Sequence, residues 1–144
     1  MDTQLTKICL KKLSEIYLPF ERNIWVKCET PITRNEIALA VSNNELQDPS
    51  EPIDRYLDWW DTSSRETHIK RIAWLVKNFD HKYYVSIDFG IPGLCDFTIE
   101  DGNHRLLAAY YLNLPYIMAD CCGQVKLIQT YTKTTKCETK SSHN

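Results

Sequence analysis

Apolar residues near the start of the chain fall at Leu5, Ile8, Cys9, Leu13, Ile16 and Tyr17. That helical spacing predicts an amphipathic helix from about residue 3 to 17, ended by Pro19. Ile24, Val26 and Cys28 then alternate with Trp25 and Lys27, which predicts a short strand. Thr33 and Glu36 stand at capping-box spacing ahead of Ile37, Leu39, Ala40 and Val41, so a second helix starts there and closes at Asn43 and Asn44. Pro52 suits the first turn of a short helix carrying Ile53, Tyr56, Leu57 and Trp60 on one face. Ser63 and Glu66 repeat the capping-box spacing, and Ile69, Ile72, Ala73, Val76 and Phe79 mark a helix of about fifteen residues.

The period then changes from helical to alternating. Tyr83, Val85, Ile87 and Phe89 alternate with polar positions, and Gly90, Pro92 and Gly93 separate them from a second run around Phe97 and Ile99, which predicts a β-hairpin. After Gly102, good helix formers run from Arg105 to Leu112, Asn113 closes the helix, and Tyr116 to Ala119 return as a strand. Gln124 to Tyr131 predict a final strand. The Lys, Thr and Ser residues from 134 to 144 lack apolar periodicity and read as a flexible tail. The pattern predicts an α/β fold with a small mixed sheet flanked by helices, in one domain over residues 1–133.

Charge and cysteine usage narrow the partners. Seventeen basic against nineteen acidic side chains give a net charge of −2, which creates no general attraction for nucleic acid, so any such contact has to be local. No apolar run approaches the roughly 18 residues of a membrane-spanning helix. The six cysteines form no CxxC pair, and Cys121 and Cys122 point apart on a strand, so they are expected to be reduced thiols packed as small hydrophobes in a cytoplasmic protein, with no zinc site. His68 and His81 read as surface histidines, and Trp59-Trp60 and Tyr110-Tyr111 as core aromatics.

The chemistry concentrates at one turn. Phe97 and Ile99 point to one face of their strand and Thr98 and Glu100 to the other, before Asp101-Gly102 turns the chain into the helix. The first N–H groups of a helix lack intrahelical partners and sit at the positive end of its dipole, so they favour an anion. Gly102 permits close backbone approach, and His104 and Arg105 donate hydrogen bonds, Arg105 as a fork. A phosphate is the expected occupant. Glu100 and Asp101 read either as a general base or Mg²⁺ ligands for phosphoryl transfer, or as a solvated strand edge.

The stretch Thr98-Ile99-Glu100-Asp101-Gly102-Asn103-His104-Arg105-Leu106-Leu107-Ala108-Ala109 resembles the ParB/sulfiredoxin-like superfamily. Its members carry a strand, a Gly-containing His-Arg or Arg-Arg box, and a helix that begins with small and aliphatic residues. The resemblance covers about residues 65 to 122 and leaves the N-terminal half unmatched. It implies that Gly102, Asn103, His104 and Arg105 cradle the phosphates of a nucleotide such as ATP, ADP or CTP, with Mg²⁺ as a companion. Sulfiredoxins have a cysteine where Asn103 stands, and chromosome-segregating ParB proteins have Gly-Glu-Arg-Arg, so neither sulfinic-acid repair nor centromere binding is implied. Three readings follow. The chain is a nucleotide- or phosphate-binding domain acting as an NTPase or phosphotransferase, with Glu100, Asp101 and His104 catalytic. Alternatively it is a metal-dependent nuclease whose ion is held by Glu100 or Asp101. The third reading is a non-catalytic protein-binding module of a phage or plasmid type.

Overall fold

Consecutive burial of Ile8, Cys9 and Leu10 marks a join between two elements, and the computed structural model, which describes residues 4–49 and 61–132, shows which. Thr6–Cys9 is a strand, β1, and Leu10–Leu13 a single helical turn, α1. The expected long first helix is therefore absent. β1 pairs antiparallel with a later strand, setting Ile8 opposite Ile117, and this tertiary pairing overrides a spacing that also fits a helix. A 3₁₀ turn at Pro19–Glu21 follows. The expected strand at 24–28 is instead irregular: Cys28 N–H donates to the Trp25 carbonyl at 3.0 Å. Trp25 and Cys28 are buried while Val26 is exposed, a period of three rather than two.

The helices that have side-chain caps match the sequence pattern. α2, Arg34–Ser42, carries the full Thr33/Glu36 capping box. α3, Arg65–Lys77, is capped by Ser64 through the Thr67 N–H, one residue beyond the expected Ser63. The helix expected around residues 53–60 and the C-terminal tail lie outside the described residues. β2, Val85–Asp88, and β3, Thr98–Asp101, form the expected antiparallel hairpin. α4, Asn103–Tyr111, then crosses to β4, Tyr116–Cys122. The last element, Val125–Thr132, is a helix, α5, rather than a strand. Leu127, Ile128 and Tyr131 lie on one face of it and pack against the core.

The sheet has the order β1-β4-β2-β3, with β2 parallel to β4 and the outer pairs antiparallel. This is the small mixed α/β fold expected. Between β2 and β3 the register slips: Ile87 faces Ile99 but Ser86 faces Asp101, so Glu100 is an extra residue beside the turn into α4. α4 is sandwiched. Leu106, Ala109 and Tyr110 join the sheet-side core, while Leu107 and Ala108 join a second core with Trp25, Ile37, Ile72 and Leu75. A helix apolar nearly all round is stable only when both sides are covered in this way.

No helix among the described residues is long and apolar enough to cross a membrane. Cys28, Cys95, Cys121 and Cys122 are free thiols. Cys9, expected to be reduced, is instead disulfide-bonded. Disulfide partners are set by spatial approach, which spacing along the chain does not reveal.

Candidate functional site

The Asp101-Gly102 turn owes its shape to the sheet. Gly102 caps α4 at φ 102°, and a β-carbon there would lie 2.7 Å from Val85 Cγ1 and 3.0 Å from Val85 Cα. The space that glycine provides is thus filled by β2 and not left for a ligand. Tyr84, the residue before β2, accepts a 2.7 Å hydrogen bond from Arg105 Nη1. The guanidinium expected on a phosphate is therefore engaged with the backbone.

The next two residues diverge around the first turn of α4. Asn103 is buried, and its Oδ1 accepts a 2.6 Å bond from the Tyr17 hydroxyl. It lines a cleft of about 200 Å³ with Tyr17, Arg22, Asn23, Phe97 and Thr98. The Arg22 guanidinium lies 4.6 Å from the Tyr17 ring centroid, a cation–π contact that places a positive charge beside the cleft. Neither Tyr17 nor Arg22 was expected at the site, and Tyr17 comes from the segment expected to be one long helix.

His104 turns the other way, into the core. Its Nε2 is 2.9 Å from Nδ1 of His68, and both rings are essentially inaccessible. Expected at the surface, His68 belongs instead to a buried stripe of α3 with Arg71, Ile72 and Leu75. Spacing of three and four along that helix is the signal that finds it. Trp25 stacks on both imidazoles, 4.2 Å from His68 and 4.4 Å from His104, with interplanar angles of 13° and 20°. The indole N–H is buried and meets no acceptor among the described residues.

Asp61 completes this cluster. Its Oδ2 lies 4.0 Å from His68 Nδ1 and accepts from Arg71 Nη1 at 3.1 Å, while Oδ1 accepts from the Ser63 N–H at 2.9 Å. Burial pushes the Asp61 carboxyl up, but hydrogen bonds from Ser63 and the neighbouring His68 and Arg71 outweigh it and hold the group below its ordinary range.

Glu100 and Asp101 are exposed on β3 and neither lines the cleft. Glu100 groups with Asp88 and Cys122, their potential ligand atoms lying within 4.8 Å of one another. Cys122 Sγ is 3.8 Å from Glu100 Oε1. Burial, together with these two carboxylates, pushes the Cys122 thiol up to about 11, so at neutral pH it is a thiol and a poor nucleophile. Tyr110 is core, as expected, its hydroxyl donating to the carbonyls of Leu10 and Tyr17, and His81 is exposed. Trp59 and Trp60 lie outside the described residues.

No family model, curated protein or solved structure matches the chain.

Proposed function

We propose that the chain binds a phosphate-bearing small molecule, a nucleotide by its resemblance to the ParB/sulfiredoxin-like superfamily, in the cleft between Arg22 and Asn103. One observation carries the reading: a guanidinium and the first residue of α4 line the same cleft. The helix amino end and the Arg22 charge both favour an anion there. Phe97 and Tyr17 supply an apolar wall for the non-phosphate part. At about 200 Å³ the cleft is smaller than the roughly 300 Å³ at which pockets begin to enclose a whole drug-sized ligand, so it grips one end of the molecule.

The cleft lining includes no carboxylate, and Glu100 sits with Asp88 and Cys122, so the reading is binding rather than hydrolysis at this cleft. Isothermal titration with ATP, ADP, CTP, GTP and pyrophosphate, each with Mg²⁺, is the test, with adenosine as the phosphate-free control. Binding of phosphate-bearing ligands but not of adenosine is expected. Absence of binding at millimolar concentration for every one of them overturns the reading.

A further inference from the structure

We infer that the buried cluster Asp61–His68–His104 is a binding site for a divalent transition metal of the zinc class, separate from the cleft and independent of what the cleft binds. The three side chains offer Asp61 Oδ2, His68 Nδ1 and His104 Nε2, all within 4.8 Å of one another. Both short contacts involve the same atom: His68 Nδ1 is 2.9 Å from His104 Nε2 and 4.0 Å from Asp61 Oδ2. Two nitrogens bound to one tetrahedral zinc at about 2.0–2.1 Å stand roughly 3.3 Å apart. The two contacts of His68 Nδ1, at 2.9 and 4.0 Å, bracket that spacing, and the remaining pair lies within 4.8 Å, so closing on one ion takes side-chain rotation. Binding needs a lone pair on both facing nitrogens, so the proton between them is displaced: it moves to the other nitrogen of its own ring where that nitrogen is bare, and leaves to solvent where the ring is protonated on both.

The surroundings fit a ligand set. His68 and His104 come from α3 and α4, which are locked together through Ile72, Leu75, Leu107 and Ala108. Trp25 holds both rings close to one plane. Ser63 and Arg71 fix the two oxygens of Asp61, the kind of outer hydrogen bonding that orients metal-binding carboxylates. Two imidazoles and one carboxylate select zinc, cobalt or iron over magnesium or calcium, which prefer oxygen donors. Arg71 offsets the Asp61 charge, so among the described residues a bound divalent ion would leave the cluster net positive.

The test uses the full chain, stripped with a chelator, dialysed, and titrated with Co²⁺ and then Zn²⁺. One Co²⁺ per chain is expected, with visible d–d bands, no sulfur-to-cobalt charge-transfer band, and displacement by Zn²⁺. Paramagnetic broadening is expected at the ring protons of His68 and His104 and not at those of His81. His68→Gln and His104→Gln should each lower the affinity by more than about a hundredfold, beyond the loss of an outer hydrogen-bond partner, while Cys122→Ser leaves it unchanged. No stoichiometric uptake with metal in excess, a sulfur-to-cobalt band, or uptake that survives both histidine variants overturns the inference. Should either variant fail to fold, the unmodified chain decides: broadening that spares His68 and His104 overturns it equally.

Discussion

Arg105 donates from Nη1 to the carbonyl oxygen of Tyr84 at 2.7 Å, tying the first turn of α4 to the residue that leads into β2. A charged donor on a backbone carbonyl stabilises by roughly 1.5–3 kcal/mol when shielded. Arg105 is only half-buried, so about 1 kcal/mol is the better expectation after screening by water. Arg105→Ala should therefore lower the melting temperature by a few degrees and leave ligand affinity at the cleft unchanged, as calorimetry of the melt and titration on the same sample will show.

Arg22 should behave in the opposite way. It is exposed, and its guanidinium lies over the face of Tyr17, a cation–π contact of roughly 0.5–1 kcal/mol at an exposed site. If it pairs with a phosphate in the cleft, Arg22→Ala removes a charged hydrogen bond of about 1.5–3 kcal/mol, or roughly ten- to a hundredfold in affinity. The pair of variants is informative because Arg22 lines the cleft while Arg105 donates to the Tyr84 carbonyl. Loss of nucleotide affinity in Arg105→Ala with none in Arg22→Ala would place the phosphate at the motif turn and empty the cleft of its role.

Gly102 is the position at which the motif and the fold are hardest to separate. Its φ of 102° is strained for any residue with a β-carbon, and the added atom would sit 2.7 Å from Val85 Cγ1. Backbone strain and overpacking each cost roughly 1–3 kcal/mol, so Gly102→Ala should destabilise by about 2–6 kcal/mol. Gly93 has a φ of 76° but open space around its would-be β-carbon, so Gly93→Ala carries the backbone strain alone. Denaturant melts of both, and of Gly102→Ala combined with Val85→Ala, separate the two terms. No recovery in the double variant would show that Val85 Cγ1 is not what demands glycine, leaving the backbone strain and the 3.0 Å approach to Val85 Cα and Cβ.

What the sequence made legible follows from where each signal is decided. Thr33 with Glu36 and the alternation from Tyr83 to Phe89 are local, and those elements stand as expected. Leu5 to Tyr17 and Gln124 to Tyr131 were misread because short apolar runs fit either period, and only pairing with β4 or packing against β1 settles them. At the site, the turn and helix at 101–111 were legible, but the direction of each side chain was not. His104 points into the core and Arg105 onto Tyr84 because α4 lies between two layers, and the partners that fix them are remote in sequence, His68 by 36 positions and Tyr84 by 21. Asp61 and His68 were missed although His68 sits at helical spacing with Ile72 and Leu75, because a histidine on an apolar stripe is commonly discounted.

The loop that presents Trp25 to the two histidines is held from outside by Arg65 and Glu36, and this anchor makes stability depend on pH. Arg65 donates to Glu36 Oε2 at 2.8 Å and Oε1 at 2.6 Å, and to the carbonyls of Thr30 and Pro31. The hydrogen bond from Arg65 is the main influence on Glu36. Partial burial opposes it, the Thr33 N–H and hydroxyl add to it, and the carboxyl falls from 4.5 to about 2. A carboxyl whose folded pKa is depressed contributes stability that is fully present above its unfolded value and is lost as pH falls through the folded one. The contribution should therefore fade between about pH 4.5 and pH 2. Both side chains are about a third exposed or less, at 33% and 28%, so screening keeps the pair near 1 kcal/mol, the upper range for solvent-facing ion pairs. Glu36→Gln should be less stable than the natural chain at pH 7 by about that amount, and the gap should close as pH drops from 4.5 to 2. Added salt should narrow it at neutral pH. Thermal melts of both chains across that range measure the effect, and a gap that stays constant down to pH 2 would assign Glu36 a purely hydrogen-bonding role in the cap of α2.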